Sequence, residues 1–212
     1  MKNARWSFGL SAIGGRLFAT GGYNSWASYS SVESFSHQTG WVVEESMELV
    51  DIMGLPLPRF HHCSVALGSL LVVLGGVVGG GLESSTVQAF DTNTTDASWF
   101  FLGSMNVARA GLACNIGAFE GHFGIFAAGG QTDSHGLLNN VEFYSASTDS
   151  WQNLGGLGAA RSFHSLTIVG GRMVVAGGDN EVSSVETLNG TEWEQTNSLK
   201  VSFSLSIQNL IS

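Results

Sequence analysis

A chain of 212 residues is the size of one domain, and an apolar share of 43% is enough for a core. Only 12% of residues are charged, while 29 are glycine and 2 are proline, a balance that favours sheets buried on both faces over helices. The net charge of −9, with eight scattered basic residues, excludes a nucleic-acid partner, because no Lys/Arg cluster can displace phosphate counterions.

Met1-Lys2-Asn3-Ala4 leads straight into the first apolar run, so no signal peptide is expected. Short runs of Val, Ile, Leu, Phe and Trp alternate with Gly, Ser, Asn and Asp, which is strand and turn chemistry. The first four predicted strands lie near 6–13, 16–21, 31–36 and 41–46. The loop inside this set is unusually aromatic, with Tyr23, Asn24, Trp26 and Tyr29. Both prolines sit in the connection from Glu48 to Pro58. The next strands are expected near 60–67, 70–74, 86–91 and 98–102, then 110–118, 122–128, 140–145 and 150–154. The last set is expected near 162–169, 172–176, 184–188 and 192–196. Val65 to Leu82 is uncharged over 18 residues, a length that could span a membrane. Its six glycines predict a buried strand pair instead, so no membrane partner is expected.

Four markers recur in one order. An Arg stands at 5, 59, 109 and 161, and a Gly pair follows at Gly21-Gly22, Gly75-Gly76, Gly129-Gly130 and Gly177-Gly178. Then come Val32-Glu33, Val87-Gln88, Val141-Glu142 and Val185-Glu186, and after them Trp41, Trp99, Trp151 and Trp193. The Arg-to-Gly offset is 16, 16, 20 and 16, so the third repeat carries a four-residue insertion near Phe119 to His122. A repeat of this size cannot bury its own faces and must stack on neighbours. Its Gly pair permits positive φ or close backbone approach, and its Trp supplies a large apolar plate.

This pattern resembles the kelch repeat over essentially the whole chain, from about residue 5 to 210. The resemblance implies an all-β fold of the kelch β-propeller type. It would have four four-stranded antiparallel blades at about 5–48, 59–102, 109–154 and 161–196, in one domain over 1–212. It also implies that Arg59, Arg109 and Arg161 support the connections between blades by bonding backbone carbonyls. Lys200-Val-Ser-Phe-Ser-Leu-Ser-Ile207 parallels Arg5-Trp-Ser-Phe-Gly-Leu-Ser-Ala12, so residues 202–210 are expected to form an extra first strand. Two architectures follow from it: an incomplete propeller, or a four-bladed ring in which the C-terminal strand displaces the N-terminal one. Open sheet edges would invite self-association.

Little in the sequence points to catalysis. His61 and His62 are adjacent on a strand and face opposite ways, while His62 and His164 occupy one repeat position. No zinc or iron spacing, nucleophile elbow or phosphate loop is present, so no cofactor, metal or catalytic residue is expected. Cys63 lies four residues after its repeat Arg and Cys114 five, so the two point to opposite faces of their sheets. Two unbridged thiols are therefore expected, with a cytoplasmic location, or an extracellular one if a signal peptide precedes this chain. The sequons Asn93-Thr-Thr95 and Asn189-Gly-Thr191 matter only in a secreted chain.

If a site exists, it lies on the loops after the second strands. The candidates are Tyr23, Asn24, Trp26 and Tyr29; Val77 and Glu83; Gln131, Asp133 and His135; and Asp179, Asn180 and Glu181, with His61 and Phe163 bordering the same end. These residues are aromatic and acidic, so the expected partner is a protein offering basic or apolar groups. The resemblance implies a non-catalytic interaction scaffold, of the kind used for substrate recognition by ubiquitin ligases or for cytoskeletal binding. A sugar-acting propeller enzyme and an extracellular adhesion module are the alternatives.

Overall fold

The structure is a computed structural model that describes residues 1–47, 57–94, 98–170, 172–179, 182–189 and 192–198. The described residues hold strands, turns and connections and no helix. They form two compact units, Met1–Ala108 and Arg109–Ser212. Each unit contains two four-stranded antiparallel sheets whose strands pair in chain order.

In the first unit, blade one pairs Gly9–Ile13, Arg16–Thr20, Val32–Ser36 and Gly40–Val43. Blade two pairs Cys63–Leu67, Leu70–Leu74, Val87–Asp91 and Trp99–Leu102. In the second unit, blade three pairs Ala113–Phe119, His122–Ala128, Asn140–Ser145 and Ser150–Gly156. Blade four pairs Ser165–Val169, Arg172–Ala176, Ser184–Asn189 and Glu192–Ser198. This is the all-β blade architecture that the repeats predict. Val65 to Leu82 is the hairpin of blade two and the start of a small sheet, and no described helix is long and apolar enough to cross a membrane.

The hairpins explain the insertion. Each first hairpin closes over two residues, and in blade three these are Glu120 and Gly121, both at positive φ (49° and 80°). That conformation matches the right-handed twist of the flanking strands. Blade three keeps a two-residue turn but lengthens both flanking strands to seven residues, against five in the other blades. The four inserted residues therefore extend the hairpin without disturbing the register of the Gly pair.

Stacking buries both faces where two blades meet. In the first unit Ile13, Phe18 and Val32 of blade one pack with Leu71, Val73, Phe90 and Trp99 of blade two. In the second unit Ala113, Phe126, Val141 and Phe143 of blade three meet Leu166, Met173, Val175 and Leu188 of blade four. Three of the four marker tryptophans pair across strands with an aromatic, Phe35 with Trp41, Phe90 with Trp99 and Tyr144 with Trp151, each at 5.4 Å between ring centroids, while Trp193 stands opposite Leu188. Offset aromatic pairs of this kind add about 1 kcal/mol beyond their burial.

The cysteine expectation is overturned. Neither cysteine is a free thiol, and both are disulfide-bonded. Alternation along a strand says which face of its own sheet a side chain occupies, so it was no argument against a bridge. The expected strand at 202–210, Lys200, Asn180, Glu181, Thr95, Thr191 and residues 48–56 lie outside the described residues.

Candidate functional site

One end of each blade is organised by its marker Arg. Arg5, Arg59, Arg109 and Arg161 are all buried. In every blade Nη1 donates to the carbonyl of the first glycine of the pair: Gly21 at 2.7 Å, Gly75 at 2.6 Å, Gly129 at 2.8 Å and Gly177 at 2.8 Å. In every blade Nη2 meets the side chain that follows the marker Val. Arg5 donates to Glu33 and Arg109 to Glu142, both at 2.6 Å, and Arg161 donates to Glu186. The Arg thus ties the segment entering the blade to its second and third strands.

The carboxylates close the arrangement. Glu33 accepts the backbone N–H of Lys2 at 2.5 Å and of Asn3 at 3.2 Å, and Glu186 accepts those of Gly158 at 2.6 Å and Ala159 at 3.3 Å. These donors stand three and two residues before the Arg. Burial alone would raise the Glu33 carboxyl, but the N–H groups of Lys2 and Asn3 and the Arg5 guanidinium bring it below the ordinary value of 4.5.

Blade two departs from the rule twice. Gln88 stands where the others have Glu, and Arg59 Nη2 reaches its Oε1 at 3.1 Å. Position 56, three before Arg59, is a proline, which has no N–H to donate. Gln88 Nε2 is buried without a partner. With no carboxylate opposite, burial pushes the Arg59 guanidinium down to about 10. Burial also lowers Arg109 and Arg161, but Glu142 and Glu186 oppose it.

Above the Arg sits a backbone lattice common to both units. Gly22 N–H donates to Arg59 C=O, Tyr29 N–H to Gly22 C=O and Arg59 N–H to Tyr29 C=O. In the second unit Gly130, Leu138 and Arg161 make the same three bonds. Two residues after each Arg the chain enters the left-handed region: Ser7 (φ 53°), His61 (54°), Gly111 (62°) and Phe163 (52°). For residues other than glycine this conformation costs about 1 kcal/mol. The four positions are stitched together within each unit, His61 N–H to Ser7 C=O at 3.1 Å and Phe163 N–H to Gly111 C=O at 2.7 Å.

These frames present two loop clusters. In the first unit Tyr23 lies at the centre of rings, 5.3 Å from Trp6, 5.0 Å from Phe60 and 5.8 Å from His61. Tyr29 lies under the Arg5 guanidinium at 4.9 Å. Asn24 fixes the loop tip: its Oδ1 accepts the N–H groups of Trp26 and Ala27, and its Nδ2 donates to Tyr29 Oη at 2.6 Å. Trp26 is held on that tip 93% exposed. Glu83 lies on the small sheet formed by Arg59–Phe60, Val77–Val78 and Leu82–Glu83.

The second unit offers a polar counterpart. Ser162 Oγ lies 3.3 Å from Gln131 Oε1 and 3.5 Å from Asp179 Oδ2. His135 and Thr132 close the tip, where His135 N–H donates to Thr132 Oγ1 at 2.9 Å, and Asp133 is exposed beside them. Phe163 packs against Gly111. Among the expected residues, then, Tyr23, Asn24, Trp26, Tyr29 and His61 share one cluster, and Gln131, Asp133, His135, Phe163 and Asp179 the other. Trp6 and Phe60 were not singled out from sequence. Their signal was available, because each directly follows a marker Arg, where the second unit has Ala110 and Ser162.

The buried histidines do different work at one repeat position. His62 Nε2 accepts the N–H of Gly9 at 3.2 Å and pairs with Thr20 Oγ1 at 2.9 Å, so it bridges blades one and two. His164 has no partner for either ring nitrogen, because Ala128 occupies the place of Thr20. Burial, assisted by Arg59 at one and by Arg161 and Arg109 at the other, pushes each imidazole down to about 3. Both are neutral, structural groups near neutral pH. Among the described residues no three His, Cys, Asp or Glu side chains are grouped to hold a metal.

The Kelch motif model matches residues 5–40 and 58–106, and its two matches begin at the Arg frames of blades one and two. The chain belongs to the kelch-repeat family. Its kelch repeats are 30% identical to Kelch-like protein 36 of Bos taurus over 147 residues, 68% of this chain and 23% of that protein. They are 27% identical to Kelch-like protein 26 of Danio rerio over 205 residues, 92% of this chain and 32% of that protein. The kelch region seen here thus spans about a quarter to a third of these relatives. Among solved structures, that of YjhT superposes with a TM-score of 0.70 over 93% of this chain and 67% of its own, at 15% identity, a likeness of fold.

Proposed function

We propose that this kelch chain is a non-catalytic protein-binding module, and that the aromatic loop cluster of its first unit is the primary contact. The observation that carries this reading is Trp26. A side chain with a large apolar surface stays 93% exposed on a tip whose backbone Asn24 locks, so little entropy remains to be lost on binding. Tyr23, Phe60 and His61 lie beneath the same loop and widen the contact. Half of the eight basic residues are the marker arginines, buried in the blades, so the accessible charge is dominated by carboxylates. The partner therefore offers basic or apolar groups. Substrate recognition for a ubiquitin ligase, or cytoskeletal binding, would each use this surface together with a further module.

The test is affinity capture with the purified chain against its Trp26→Ala variant, followed by titration of whatever protein the wild type retains. The expected loss at a hot-spot Trp is about 30-fold in affinity or more, with unchanged far-UV circular dichroism. An unchanged affinity would remove the first-unit loop from the contact.

A second reading, an extracellular adhesion module, is supported by the disulfide-bonded cysteines and by Asn93, exposed in a turn after the third strand of blade two. Mass spectrometry of the chain expressed through a secretory route tests it: glycan on Asn93 is expected, and an unmodified Asn93 counts against it.

A further inference from the structure

Tyr23 is built into the first unit as a fixed wall. Its N–H donates to Trp6 C=O at 3.0 Å, its C=O accepts from Trp6 N–H at 2.9 Å, and it bridges to Ser28 across the loop. Phe60 is set beside it from blade two by its pairing with Val77, and His61 by the bond to Ser7. The rings meet nearly at right angles: Trp6 and Tyr23 at 78°, Tyr23 and His61 at 75°, and Phe60 and His61 at 78°, with Tyr23 and Phe60 at 58°. All four are half-buried, so each keeps part of its surface in water although the backbone already fixes it. His61 holds its place at φ 54°, a strained conformation of the kind that gathers at binding sites.

A corner of crossed rings offers π faces to a cation. The first unit makes that contact twice with its own arginines, Arg5 over Tyr29 at 4.9 Å and Arg16 over Phe18 at 4.8 Å. Among the described residues no guanidinium stacks on Trp6, Tyr23 or Phe60. The basic residues of this unit are committed elsewhere: Arg5 and Arg59 are buried in their frames and Arg16 pairs with Glu44, which leaves Lys2. Glu45 is exposed in the same unit, and the net charge of −9 draws cations from solution.

We propose that this corner receives an arginine side chain of the partner, its guanidinium seated against Tyr23, Trp6 and Phe60. The cation is a guanidinium because a planar group stacks on a ring and keeps its edge donors for other acceptors, whereas an ammonium is compact and strongly hydrated. The proposal rests on the loop-cluster reading above and deepens it, from a partner with basic or apolar groups to one stated side chain.

The test is an NMR titration of the full chain with capped pentapeptides that carry a central arginine, lysine or citrulline, the last being the neutral isostere of arginine. The indole N–H signals of Trp6 and Trp26 report the site. The arginine peptide should move the Trp6 signal saturably, and the citrulline peptide should bind more weakly by about fivefold or more, the scale of one cation–π contact. Tyr23→Leu should weaken the arginine peptide by about the same factor, and Tyr23→Phe, which keeps the ring, should not, with circular dichroism unchanged in both. A Trp6 signal that the arginine peptide does not move overturns the proposal, as does a citrulline or lysine peptide that binds as tightly as arginine. Equal binding of arginine and citrulline would still leave the loop cluster as the contact, whereas Trp26→Ala with unchanged affinity for the captured protein would remove the first-unit loop itself, so the two failures are distinct.

Discussion

Gln88→Glu restores in blade two the carboxylate that the other three blades place against their marker Arg. Arg59 Nη2 lies 3.1 Å from Gln88 Oε1, whereas Arg5 and Arg109 lie 2.6 Å from their carboxylates. A charge-assisted hydrogen bond contributes about 1.5–3 kcal/mol against about 1 for a neutral one. The substitution also removes the buried, unpartnered Nε2 of Gln88, a group that costs about 1–3 kcal/mol. Against this stands desolvation of a carboxylate that has one backbone donor fewer than in blades one and four, since position 56 is proline, an offset of about 1–2 kcal/mol. The net expectation is a gain of about 1–2 kcal/mol at pH 7. The new carboxyl should titrate below its ordinary value, as Glu33 does. A group with a depressed folded pKa stabilises above its unfolded pKa, so the gain should be complete above about pH 5 and fade as pH falls through the folded value. The assay is urea unfolding of wild type and variant at pH 7 and near pH 3, with the slope of the transition checked, because two units need not unfold together. A lower midpoint at pH 7, or a gain that persists undiminished near pH 3, would refute the reasoning.

Three further outcomes are expected. Ala113→Gly with Ala128→Thr should give His164 the hydroxyl partner that His62 has in Thr20; Ala128→Thr alone should be crowded by the Ala113 methyl, because a Cβ on Gly9 would lie 2.6 Å from Thr20 Oγ1. A double-mutant cycle should show favourable coupling of about 1 kcal/mol, and strict additivity would disprove the link. Because burial and the neighbouring Arg161 and Arg109 hold His164 near 3, the unfolded chain takes up its proton first as pH falls below 6.5, and stability should decline by about 1.4 kcal/mol per pH unit from this group. His164→Leu should flatten that decline in thermal melts between pH 6.5 and 4, whereas an unaltered slope would show that His164 titrates normally. Gly76→Ala should cost about 2 kcal/mol or more in urea unfolding, since Gly76 has φ 87° and a Cβ there would meet Phe60 O at 2.6 Å; a cost below half of that would mean the two segments can part.

Strand positions were legible because apolar runs and turn residues alternate locally, and that information is short-range. The lengthened hairpin of blade three could likewise be counted from one offset. The tie between Arg and Glu was visible as two separate markers but not as one unit, because 24 to 32 residues lie between them and only folding brings Nη2 to Oε1. The joint departure of Pro56 and Gln88 from the pattern was the available hint. The cysteines misled for a different reason: alternation says which face of its own sheet a side chain occupies and nothing of what it bonds to. Trp6 and Phe60 were passed over because an aromatic beside a strand reads as core, and their gathering around Tyr23 depends on the loop folding back over them.

The left-handed residue two places after each marker Arg carries a wider consequence. Ser7, His61, Gly111 and Phe163 share one backbone conformation while differing completely in chemistry. The Arg frame below holds that conformation whatever side chain stands there, so each repeat works as a socket whose insert can be exchanged without rebuilding the wall around it. Recognition in such a molecule could be rewritten one repeat at a time, and the blades would not register the change.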